Sequence, residues 1–196
     1  MTKKTHEAFA AMTTGAVCIA LRNNMGLNMF QTGLVMTASA VGCLLPDADD
    51  PRSWIGRHLP LLCLPLWIVR FVAGCLGKIT GSRYVSDFAD ELGHRKVLHY
   101  PFTYFVTFLL ICGCLKFTKY GSGFPAWLSC LFTGILCGIF SHILGDAFFG
   151  GVAIGAPFCK RKIKLSPFAT GSVAESIAFI LFIFSDIVVI KNAFGM

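Results

Sequence analysis

The chain has 196 residues, of which 55% are hydrophobic and only 14% charged, and its mean hydropathy is +0.69. Soluble domains carry about 25% charged residues, so an ordinary soluble domain is excluded, and the length excludes two domains; one all-α membrane-embedded unit over residues 1–196 is expected. A formal charge of +7 would elsewhere suggest nucleic acid, but the basic residues sit between apolar runs, as they do beside an anionic bilayer, and no nucleic-acid role is expected.

The first apolar segment, A, runs from Ala8 to Leu21 and is stopped by Arg22, Asn23 and Asn24. Lys3 and Lys4 ahead of it resemble the start of a signal peptide, but the small-residue pattern Ala8-Phe9-Ala10 precedes the apolar stretch, so no cleavage is expected. Segment B, Phe30 to Leu45, delivers the chain into LLPDADDPRS, where Asp47, Asp49 and Asp50 crowd together among only ten acidic residues in the protein. Like charges this close raise one another's proton affinity, and a cation is the simplest neutraliser; a solvated turn built on Pro46 and Pro51 is the competing reading.

Segment C, Leu59 to Leu76, is apolar but interrupted by Pro60, Pro65 and Arg70, which predicts a broken or interfacial segment instead of a span. Residues Gly77 to Glu91 read as a water-exposed loop. Segment D, Phe102 to Leu115, and segment E, Ala126 to Leu144, follow, the latter the strongest membrane helix in the chain. A basic loop, Lys160 to Lys164, leads to segment F, Val173 to Ile190. The expected architecture is therefore an integral-membrane helical bundle of about five spanning helices plus one broken segment. The nine cysteines form no CxxC pair and read as small buried hydrophobes.

Four of the five histidines lie at ends of apolar segments: His6, His94, His99 and His142. His142 and Asp146 are four apart, hence stacked on one helix face and able to share an ion. Glu175 opens segment F, where interaction with the helix N-terminus is its simpler role. Asp186 is isolated and receives no role. If A, B, D, E and F cross while C does not, His6, the aspartate cluster, His94, His99, His142, Asp146 and Glu175 fall on one side. The same assignment puts twelve lysines and arginines on that side and four, Arg22, Lys116, Lys119 and Lys191, opposite, which predicts a site facing the cytoplasm.

These residues give the chain its resemblance to the YdjM-type family of bacterial inner-membrane proteins, described as metal-dependent hydrolases. The family's blocks are an early His, LPDxDxxxS, HRGxTHS, GxxSHxxxDxxT and a later Glu. Here they read as His6, LPDADDPRS, HRKVLHY from His94 to Tyr100, GIFSHILGDAFF with His142 and Asp146, and Glu175, in the same order across nearly the whole chain. Lys96, Leu98, Tyr100 and Phe149 depart from the pattern, all at small or polar neighbours and none at a metal-type ligand. At fold level the family is similar to zinc-dependent phospholipase C and related nucleases, which implies a phospholipase C-like metal site.

The expectation is thus a membrane-bound metallohydrolase acting on a phospholipid or another phosphoester. His6, Asp47, Asp49, His94, His99, His142 and Asp146 are the candidate ligands. Mixed imidazole and carboxylate donors favour Zn²⁺, with Mn²⁺ as the alternative, and seven candidates are enough for two or three ions. Glu175 is the candidate further ligand or general base, Arg95 the candidate partner of developing negative charge, and Asp50 a third catalytic candidate. Two other classes are open: a metal or ion transporter, whose ligands would spread through the membrane depth, and a catalytically silent scaffold.

Overall fold

The computed structural model describes residues 2–93, 97–116, 125–153, 155–156, 158–159, 161–168 and 170–194. These residues form eight α-helices and two short 3₁₀ turns, with no strand among them beyond a single antiparallel bridge, Val152 to Ile163. The helices are α1 (Lys3–Met25), α2 (Met29–Gly42), α3 (Trp54–His58), α4 (Pro60–Thr80), α5 (Arg83–Glu91), α6 (Pro101–Lys116), α7 (Ala126–Phe149) and α8 (Val173–Phe194). The turns are Leu45–Asp49, directly after α2, and Val97–His99, directly before α6.

Local chemistry sets several of these limits. Asn28 caps α2 by accepting from the Gln31 backbone N–H while the Gln31 side chain reciprocates, a capping box that satisfies two otherwise orphaned donors. Gly26 and Gly81 end α1 and α4 in the left-handed region that a side chain would oppose. Between them, Pro60 sits at the first position of α4, where its missing N–H costs nothing.

The bundle is organised by two parallel helix pairs. In α2 and α7, Gly134 lies against Val35 and Ala38, and Gly138 against Ser39, Gly42 and Cys43, so both chains run the same way and end together. In α1 and α8, Thr2 meets Glu175 and Gly15 meets Val189, so both begin together. The two pairs oppose each other through a layer of hydroxyl contacts, Thr13 to Ser141 at 2.5 Å and Thr14 to Ser39 at 2.6 Å. The starts of α1 and α8 therefore share one end of the bundle with the ends of α2 and α7.

Four helical stretches are long and apolar enough to cross a membrane: Met29–Asp49, Cys63–Thr80, Ala126–Phe149 and Val173–Phe194. This differs from the expected set. The helix α6 has 16 residues, Pro101–Lys116, and α1 carries Lys3, Lys4, Glu7 and Arg22, so neither is among the four. Segment C, expected to be broken, is a continuous helix through Pro65, which removes one backbone donor without stopping the turns around it. The expected loop over residues 77–91 is also corrected. It holds the end of α4 and all of α5, whose Ser86 and Ala89 pack on Gly77 and Gly74 of α4. The two glycines let α5 lie close, and a two-helix hairpin carries the chain away from the aspartate turn and back.

Candidate metal centre

Five donors from four separate parts of the chain meet at the common end of the bundle. His6 stands on the second turn of α1, Asp47 in the 3₁₀ turn after α2, His99 in the 3₁₀ turn before α6, and His142 and Asp146 on the last turns of α7. Asp146 is the hub: Oδ1 lies 3.1 Å from His6 Nε2, while Oδ2 lies 3.6 Å from His99 Nε2 and 4.0 Å from His142 Nε2. Asp47 Oδ1 closes the other side, 3.6 Å from His142 Nε2 and 3.8 Å from His99 Nε2. The donors form two triads that share His142, His6–His142–Asp146 and Asp47–His99–His142. Zinc binds nitrogen and oxygen at about 2.0–2.2 Å, which puts neighbouring ligand atoms of a tetrahedral site roughly 3.3–3.6 Å apart. The observed separations bracket that range.

The tautomer of His142 tests the fit more sharply. Its Nδ1 lies 2.7 Å from the Cys43 carbonyl oxygen, which only accepts, so Nδ1 carries the proton and donates it. Nε2 is buried without a hydrogen-bond partner, and in the neutral ring it turns a lone pair toward two carboxylates. That arrangement is repulsive unless a cation lies between them, and a backbone carbonyl on the far ring nitrogen is the usual partner of a metal-binding histidine. The His6 ring stacks on His142 with centroids 4.0 Å apart and planes 2° from parallel, and His99 meets His142 edge-on at 5.4 Å. His6 Nε2 is also within hydrogen-bond distance of Asp146 Oδ1, at 3.1 Å.

Burial gives the site a direction. The side chains of His99, His142 and Asp146 are at most 3% exposed and that of His6 6%, whereas Asp47 is 34% exposed. Solvent reaches the donors from the Asp47 side. Tyr104 holds the His99 turn by donating its hydroxyl to the Leu98 carbonyl at 2.6 Å, and the Trp67 indole holds the aspartate turn by donating to the Ala48 carbonyl at 3.1 Å.

The remaining candidates lie elsewhere or outside the described residues. His94 and Arg95 belong to the latter group. Asp49 is buried and is absent from both triads. Asp50 accepts from the Arg52 backbone N–H at 2.9 Å, the turn-forming role that the prolines around it favoured. Glu175 is buried outside both triads, and its two oxygens accept the backbone N–H groups of Thr2 and Gly171 at 2.5 and 2.6 Å. It fastens the start of α8 to the start of α1, one turn before His6. Glu175→Gln is therefore expected to lower stability by about 1–3 kcal/mol, because an amide N–H₂ turned toward a buried donor leaves it unsatisfied, while the metal content stays unchanged. Thermal unfolding and elemental analysis of the same preparation check this; a loss of metal would make Glu175 a ligand.

Sequence reasoning missed three supporting groups: the Cys43 carbonyl, Trp67 and Tyr104. The first is a backbone atom that no residue type advertises. The other two were legible only as aromatic residues in apolar segments. Tyr100, which stands where the family pattern has Ser, donates its hydroxyl to Glu91 at 3.0 Å, and burial together with that bond pushes its phenol up to about 12.

No curated protein and no solved structure matches the chain. The model of the YdjM inner membrane protein family matches residues 1–195, and with its apolar helices and gathered His and Asp side chains the chain belongs to that family.

Proposed function

We propose that this protein is a membrane-embedded, metal-dependent hydrolase of phosphoester bonds, acting on phospholipid or another lipid-linked substrate, with His6, Asp47, His99, His142 and Asp146 as the metal donors. The observation that carries the reading is the unpartnered Nε2 of His142 facing Asp47 and Asp146, with its proton committed to Cys43 on the other side. Zn²⁺ would fit three imidazoles and two carboxylates best, with Mn²⁺ second.

A bound ion of this kind would supply a water whose pKa is lowered toward about 7 and a positive charge for the phosphate oxygens. The chain's own residues do the rest. Asp47 and Asp146 would hold the negative charge that retains the cation, His142 would present its Nε2 lone pair to it, and His6, hydrogen-bonded through Nε2 to Asp146, would exchange that proton for the ion. Burial of His6, His99, His142 and Asp146 leaves the Asp47 side as the approach for substrate. Arg95, four residues before His99, is the candidate to neutralise the phosphate. The excess of basic residues on this end of the bundle supports a cytoplasm-facing site at the inner membrane.

Purified protein in mixed phospholipid micelles is expected to release a phosphorylated headgroup or phosphate, to stop on chelation and to resume when Zn²⁺ or Mn²⁺ is restored. Release insensitive to chelator would overturn the reading. A second reading, a catalytically silent metal-binding protein, is favoured by one observation: Tyr100 replaces a small polar residue and turns its hydroxyl to Glu91. Stoichiometric metal without any turnover would select it. Transport is disfavoured because the donors gather at helix ends instead of along the membrane depth.

A further inference from the structure

The hairpin of α4 and α5 encloses a cleft of about 400 Å³ that the metal site does not use. Its floor is apolar, formed by Trp67, Phe71 and Ala89, and two cations, Arg70 and Lys78, line it from one face of α4. Asp90 stands among them, which leaves the cleft one positive charge in excess. Among the described residues neither Arg70 nor Lys78 has a carboxylate within ion-pair distance. Both are exposed, on a helix that is otherwise apolar.

The outside of the same hairpin is strongly apolar. Leu61, Ile79 and Tyr84 are 81%, 81% and 89% exposed. Arg70 near the middle of α4 and the polar α5 packed along it do not suit hydrocarbon on all sides, whereas large apolar side chains beside lysine and arginine are the composition of an element that lies in the headgroup region. The Trp67 bond to Ala48 places the hairpin at the same end of the bundle as the metal donors.

We propose that the cleft between α4 and α5 binds an anionic phospholipid, its phosphate held by Arg70 and Lys78 and its glycerol and upper acyl carbons resting on Trp67 and Phe71. Charge complementarity selects the headgroup. A zwitterionic lipid would bring a second cation against Arg70 and Lys78, and a soluble anion would leave the apolar floor wet. Trp67 is both a wall of this cleft and the clamp on the aspartate turn, so lipid in the cleft bears on the side chain that fixes the backbone between Asp47 and Asp49. The inference does not depend on hydrolysis.

The test uses the full chain in lipid nanodiscs. The chain has three tryptophans, so Trp54→Phe with Trp127→Phe leaves Trp67 as the only indole. Brominated phosphatidylglycerol is expected to quench its fluorescence at lower mole fraction than brominated phosphatidylcholine. Each cation near a membrane surface contributes enough that Arg70→Gln or Lys78→Gln should weaken the apparent affinity about fivefold, and the pair roughly 30-fold. Arg70→Lys and Arg83→Gln, the latter outside the cleft lining, should keep the preference, which separates lost charge from lost fold. Identical quenching by both lipids, or an unchanged preference in the double variant, would overturn the proposal. So would relief of quenching by dissolved glycerol phosphate, which would make this a site for soluble anions.

Discussion

Asp146→Asn is expected to strip the centre of its metal. The substitution keeps the shape of the side chain but removes a carboxylate that reaches all three imidazoles, 3.1 Å from His6, 3.6 Å from His99 and 4.0 Å from His142. Two consequences follow from the loss of charge. The donor set falls from two negative charges to one, and an amide oxygen is a poor ligand for Zn²⁺ beside imidazole. Losing a supporting partner of a ligand already costs 10–100-fold in affinity, so losing this hub should weaken binding by more than about 100-fold. Competition against a fluorescent zinc chelator measures this directly. Cys43→Ser is the informative control. The hydrogen bond to His142 comes from the Cys43 backbone carbonyl, which Ser keeps, so that variant should bind metal like the parent. Unchanged occupancy in Asp146→Asn, or loss of metal in Cys43→Ser, would dismantle the assigned centre.

Much of this arrangement was legible in the sequence because the physics that produces it is local. His142 and Asp146 had to share a face once their segment was helical, and the polar residues at the ends of apolar runs had to gather at one level if the runs alternate in direction. Asp47 and His99 are joined by a different mechanism. Between them the chain makes an excursion of α4 and α5, and its return depends on Gly74 and Gly77 meeting Ser86 and Ala89 of α5, whose charge density reads as a loop. Residues 83–91 carry Arg, Asp and Glu at a density that suggests water, although Tyr84, Val85, Phe88 and Ala89 recur at helical spacing and make α5 strongly amphipathic. Asp50 and Glu175 show the opposite limit. A carboxylate that satisfies backbone N–H groups has the same sequence appearance as one that binds an ion, and the choice is made by which groups the fold brings within 3 Å. For Glu175 that group is the backbone of Thr2, more than 170 positions away.

The second large effect is expected from Gly138→Leu, one helical turn before His142. A Cβ at Gly138 would lie 2.1 Å from the Ser39 carbonyl oxygen and 2.6 Å from the Cys43 nitrogen, and at Gly134 2.3 Å from the Val35 carbonyl oxygen. These are backbone atoms that cannot swing aside, so α2 and α7 must part. The two glycines, four residues apart, form the small-residue stripe that lets membrane helices touch backbone to backbone. Overpacking alone costs about 1–3 kcal/mol, and separating two helices that make the largest contact in the bundle places this variant at or above the upper end. The damage also reaches the metal. Cys43, whose carbonyl orients His142, is the residue against which Gly138 packs, so displacing α2 frees the His142 ring and removes Asp47 from its partners. Gly138→Leu is therefore expected to lose both thermal stability and zinc. Gly33→Ala, on α2 with open space where its Cβ would go, should be neutral or gain up to about 1 kcal/mol from helix propensity and keep its zinc. Melting curves in detergent with parallel metal analysis decide the matter: a Gly138→Leu protein that melts like the parent and holds its metal would show that the close parallel packing of α2 and α7 does not position the centre.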